Sequence, residues 1–176
     1  MQWLAFIIIA VLGVLLQTTV SPRVAVFGVR PDWVLVLVVF FALHVRGREA
    51  IAAAWMLGLL ADFQSIERFG LLSLVYALAA GSVYLIRDYL FRRHPLTHLV
   101  LTFVAGVAVQ LLVLGYYAFL VNEGRVAGAD LWLAVLVSLY SALWAPPTHW
   151  VLLKMSSWLG LEVPKYTHAG LAGMSR

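Results

Sequence analysis

The sequence predicts an all-α integral membrane protein with six transmembrane helices. Three observations predict it: 64% of the 176 residues are hydrophobic, only 11% are charged, and the mean hydropathy is +0.96. A soluble domain carries about 25% charged residues, so this chain cannot cover itself with a wetted surface, and lipid must be its main solvent. Cysteine is absent, which excludes disulfides, thiolate metal sites and a cysteine nucleophile. The net charge of +4 is small and scattered. Basic residues beside apolar runs read as membrane anchors, not as a nucleic-acid surface.

The first apolar segment covers residues 3–20. No Lys or Arg precedes it and no small-x-small site follows cleanly, so it reads as a retained helix and not a cleaved signal peptide. The second and third, residues 33–45 and 50–63, are short and separated only by Arg46-Gly47-Arg48-Glu49, which makes a tight helical hairpin. Both a full crossing of thinned bilayer and a re-entrant, bundle-packed hairpin fit their length. Either leaves the two termini on one side. Residues 69–90, 96–121 and 131–153 supply three further runs; with the first they meet the ~20-residue length a bilayer requires. Residues 1–158 thus form one transmembrane domain. Residues 159–176, with Pro164, Gly170 and Gly173, read as a cytoplasmic tail.

Charge sets the orientation. With the N-terminus inside, eight basic residues, including Arg46, Arg48, Arg87, Arg92, Arg93 and Lys154, fall on the cytoplasmic side, and four (Arg23, Arg30, Arg68 and Arg125) fall outside. The positive-inside rule therefore places both termini in the cytoplasm. Trp3, Trp33, Trp132, Trp150 and Trp158 sit where an interfacial belt belongs. Trp55, deeper in its segment, is expected to pack.

In the third segment Ala50, Ala54, Gly58 and Asp62 recur every fourth residue and share one helix face. Small residues at this spacing allow close helix approach, either within the bundle or to a partner helix. Ala77 and Gly81 repeat the step in the fourth segment, and Gly70 permits an unusual turn before it. Asp62, near a helix C-terminus, opposes the macrodipole and needs a donor; Arg23, Arg30 and Arg68 lie on the same side, so an ion pair is expected. Pro31 and Asp32 suit a first helical turn. Asp32 and Asp62 then open and close one hairpin at one mouth, as a binding site or a structural network. Pro146-Pro147 is expected to kink the last span, with Ser141 and Thr148 re-satisfying freed carbonyls. The five histidines are dispersed; His94 and His98 have i,i+4 spacing, but no third ligand is near, so metal binding is not expected. No Walker loop, dinucleotide fingerprint, nucleophile elbow or zinc-protease motif is present, and no cofactor or catalytic residue is assigned.

Gly28-x-x-Pro31-Asp32, then a helix ending Gly58-Leu59-Leu60-Ala61-Asp62, then Phe69-Gly70-Leu71 and Tyr76-Ala77-Leu78, together with Ala142-Leu143-Trp144-Ala145-Pro146, resemble the rod shape-determining protein MreD family. The loop after Asp62 departs from it, carrying Ile66-Glu67-Arg68 where a glycine-rich run is expected. The resemblance implies a bacterial inner-membrane component of the cell-elongation machinery. It would work beside MreC, a single-span protein with a large extracytoplasmic region, with the MreB cytoskeleton, and with the glycan polymerase–transpeptidase pair. It also implies a fold similar to the substrate-binding S components of energy-coupling-factor transporters.

Two functions follow. In the first, the chain is a non-enzymatic scaffold that binds an MreC-like helix and supports rod shape and side-wall peptidoglycan synthesis. In the second it holds a small molecule, as an S component does; polar residues inside the spans are few for that, mainly Gln17, Gln110 and Ser138. A lipid-handling protein with a lateral groove is a third possibility.

Overall fold

In the computed structural model, residues 3–45, 48–65, 68–87, 95–121 and 128–156 are described. Among them six helices follow in order: α1 (Trp3–Leu15), α2 (Trp33–His44), α3 (Arg48–Asp62), α4 (Leu71–Ile86), α5 (Pro95–Tyr116) and α6 (Gly128–Ser156). α1 and α5 each run on into one π-helical turn, Leu16–Val20 and Tyr117–Val121. Three stretches are long and apolar enough to cross a membrane: Trp3–Val20, Leu96–Leu120 and Gly128–Lys154, with mean hydropathies of 2.3, 2.2 and 1.4. α2 and α4 are shorter apolar helices. The tail from residue 159 lies outside the described residues.

α2 is the axle of the bundle. No polar residue interrupts its run before His44, and all twelve of its residues are buried. An all-round apolar helix has no face to give to solvent and belongs inside; α1, α3, α4, α5 and α6 all pack on it. Its start is set by Asp32, whose backbone is extended and whose carboxylate accepts from Leu35 N at 3.0 Å. Pro31 therefore stands just before the helix and not in its first turn. Its carbonyl accepts from Ser21 Oγ at 2.9 Å.

The small-residue face of α3 is filled by α4 of the same chain. Ala50 and Ala54 are fully buried, and a Cβ on Gly58 would lie 2.3 Å from Ser73 Cα. The glycine brings the two backbones into direct contact. Gly81 is looser, since a Cβ there would lie 4.0 Å from Ile51 Cδ1, and Ala77 beside it is half-buried. α5 and α6 meet α2 through Gly106, where a Cβ would sit 3.0 Å from both Leu35 Cδ2 and Ser138 Cβ.

Three expectations need correction. Trp55 does not pack: it is 48% exposed. Trp33 is no belt residue: it is buried, its ring 5.1 Å from that of Trp144. The third concerns the hydroxyls of α6, which runs as one helix from Gly128 to Ser156 with Pro146 and Pro147 inside it. Ser141 and Thr148 donate to the carbonyls of Val137 and Trp144, at 2.7 and 2.6 Å, one turn back on their own helix, and not to those of Ala142 and Leu143 that the prolines free.

Candidate functional site

A polar cavity of about 490 Å³ opens at the end of the bundle where α1 meets α2 and α3 meets α4. Its floor is the N-terminus of α2. Gln17 and Thr18 on α1, Gln64 and Ser65 after α3, Tyr76 on α4 and Gln110 on α5 form its walls, with Arg30 and Asp32 from the α1–α2 connection.

The floor is held by two neighbouring helices. Asp32 N donates to Ser141 Oγ at 2.8 Å, on α6. Trp33 N donates to the side-chain carbonyl of Gln17 at 2.8 Å. Two of the N–H groups that a helix start leaves unpaired are thus satisfied by side chains of α1 and α6. A third, Leu35 N, is satisfied by Asp32 Oδ1. Tyr76 Oη then donates to Asp32 Oδ2 at 2.6 Å. One carboxylate couples α2 to α4, and it faces the cavity.

The connection leading there is braced. Val26 and Val29 exchange backbone hydrogen bonds of 3.1 and 2.9 Å around Phe27 and Gly28, whose φ values are 51° and 82°. Two consecutive positive φ values make a type I′ turn, and glycine is needed for its second position. Tyr140 Oη donates to Val24 O at 2.6 Å and ties the turn to α6.

Asp62 does not form the expected ion pair. Its carboxylate is 3% exposed and accepts from three backbone donors, Gly70 N at 3.1 Å, Leu72 N at 3.0 Å and Ser73 N at 3.1 Å. It caps α4 from the end of α3, so its negative charge meets the positive end of another helix. Gly70, at φ 95°, turns the chain into that geometry. Arg68 donates instead to Tyr116 Oη at 3.4 Å, and Arg30 stands exposed on the cavity rim. The two acids therefore act separately, each on a helix start, and only Asp32 is among the residues that line the cavity.

Sequence reasoning missed the opposite end. His44, His98 and His149, from α2, α5 and α6, come together buried. The His44 and His98 rings are nearly parallel at 5.7 Å, and His149 Nδ1 lies 2.8 Å from His98 Nδ1. His149 Nε2 is 3.0 Å from the Val36 carbonyl, which fixes the proton on that nitrogen. His98 is then the donor between the two. Among the described residues no group of three has the geometry of a metal site; His94 lies outside them. Arg87 is also buried here, donating to the carbonyls of Ala42 and Val45 at the end of α2. The available signal was three histidines near the same ends of three spans.

A family model described as rod shape-determining protein MreD matches residues 1–144. Comparisons with curated proteins and with solved structures return no match. With that match covering most of the chain, and with helices apolar enough to cross a membrane, the chain belongs to the rod shape-determining MreD family.

Proposed function

We propose that the chain is a non-enzymatic scaffold of the bacterial elongation machinery. It crosses the inner membrane six times, with both termini cytoplasmic, and engages an MreC-like single-span partner. Through that partner it supports rod shape and side-wall peptidoglycan synthesis, beside the glycan polymerase–transpeptidase pair and the MreB cytoskeleton. The observation that carries this reading is the polar cavity. In the orientation set by charge it opens on the extracytoplasmic side, where such a partner has its large region. The small-residue face of α3 is not available for docking, since α4 occupies it. The cavity, where amides, hydroxyls, the Arg30 guanidinium and one carboxylate stand among apolar side chains, offers hydrogen-bonding capacity to a polypeptide segment.

The test is co-purification of the single-span partner in mild detergent. Gln110→Trp fills the cavity from a half-buried position on α5 and is expected to cut partner recovery about tenfold while the protein stays folded. Full recovery with a folded variant removes the cavity from the interface.

A second reading draws on the cavity volume of about 490 Å³, which lies within the range of small-molecule pockets, and on the S-component-like fold that the family resemblance implies. On that reading a metabolite co-purifies near stoichiometrically with no cell-wall protein, and Gln110→Trp expels it.

A further inference from the structure

A second cavity, of about 150 Å³, opens sideways where α1, α2 and α6 come together. On α1 it runs from Ile8 to Leu16, and across from them stand Leu37, Val151 and Leu152. Eight residue steps along the helix make it about 12 Å long. Thr148 also lines it, with its hydroxyl donated to the Trp144 carbonyl, so the largely aliphatic walls suit an apolar guest. Ile8, Leu12 and Val151 are 42%, 46% and 46% exposed, so the opening faces the bilayer.

One polar atom breaks the pattern. Trp33 lines this cavity and is 6% exposed, and its indole N–H is buried without an acceptor. An unpaired buried donor is costly and calls for an explanation. The position of Trp33 supplies one. Its backbone is bonded to Gln17, about 5 Å below the end of the α1 span at Val20. Trp33 therefore stands at the Leu16 end of the cavity, and the rest of it runs along α1 toward Ile8.

We propose that this cavity holds one acyl chain of an ester-linked membrane glycerolipid, whose ester carbonyl accepts the Trp33 indole N–H. The shape suits it: an acceptor is required at the upper end and only methylene surface below. A transmembrane helix suits it less, because its carbonyls are already paired within the helix. Gly13 keeps the slot open from behind, since a Cβ there would lie 2.2 Å from Leu37 Cδ1.

The experiment is lipid retention by native mass spectrometry of the full chain, purified in mild detergent and offered ester-linked phosphatidylglycerol and its ether-linked analogue in equal amounts. One lipid retained per chain, with about fivefold preference for the ester, is expected for one net hydrogen bond. Trp33→Phe is expected to retain lipid without that preference. Val151→Trp, from the exposed rim, is expected to lose it. No retained lipid, equal retention of ester and ether by the unaltered protein, or a partner helix cross-linked at position 151 in place of lipid would overturn the proposal. The ester–ether comparison decides the matter even if neither variant folds.

Discussion

Tyr76 donates a 2.6 Å hydrogen bond to the Asp32 carboxylate across 44 residues of sequence, and this contact joins α4 to the start of α2. Tyr76 is 3% exposed, so its hydroxyl has been withdrawn from water to serve this acid. Tyr76→Phe removes the donor and leaves the carboxylate short of a partner, at a cost of about 2 kcal/mol. Reversible unfolding in mixed micelles measures it. A double-mutant cycle with Asp32→Ala is expected to be strongly non-additive; additivity to within about 0.3 kcal/mol, the error for independent sites, would deny the coupling.

The two acids are expected to respond differently to amide substitution. Asn caps a helix nearly as well as Asp, so Asp32→Asn keeps the bond from Leu35 N and costs under about 1 kcal/mol. Asp62 accepts three backbone N–H groups through both oxygens. An amide there would aim its own donors at one of them, leaving a buried N–H unpaired at about 1–3 kcal/mol. Asp62→Asn should therefore fall well below Asp32→Asn in stability, and Asp62→Ala lower still. Equal melting of the two Asn variants would contradict the assignment of three donors.

How the two acids work was only partly legible in the sequence. The apolar runs gave the helices and their order because a membrane segment must satisfy its backbone internally. The uniform run from Trp33 to His44 marked a buried helix, since it offers no polar face. Donors were harder to read. Asp62 was set against arginines because charges are visible in a sequence, whereas the N–H groups of Gly70, Leu72 and Ser73 become a site only once α4 begins there. The Tyr76–Asp32 bond and the meeting of His44, His98 and His149 join residues on different helices, and nothing in their local spacing announces the contact. Trp33 and Trp55 were misplaced for a related reason: depth was readable and the face was not.

The glycines of the α3–α4 interface are expected to differ sharply. At Gly58 even a methyl group meets backbone, with Ser73 Cα at 2.3 Å and Leu72 O at 2.8 Å; backbone cannot rotate away as a side chain can. Gly58→Ala should force the helices apart and cost about 1–3 kcal/mol, and Gly58→Leu should abolish recovery of folded protein. At Gly81 the nearest atom is 4.0 Å away, and Gly81→Ala gains helix propensity of up to about 1 kcal/mol. Thermal unfolding of the pair in one detergent is the check. A stable Gly58→Leu protein would mean that α3 is free to accept a helix from elsewhere.

His149 is fully buried and bonded on both ring nitrogens, to His98 on α5 and to the Val36 carbonyl on α2. It ties α6 to two other helices at that end of the bundle through polar contacts. His149→Leu is close in volume but makes neither contact, and it leaves the Nδ1–H of His98 without this acceptor. The expected cost is about 1–3 kcal/mol. His149→Asn can restore one contact and should lie between the two. The loss should be local as well: amide hydrogen exchange is expected to rise at the His44 end of α2 and near His98, while the cavity end, held by Asp32, Tyr76 and Ser141, keeps its protection. A uniform rise along all six helices would show instead that His149 contributes only to global packing.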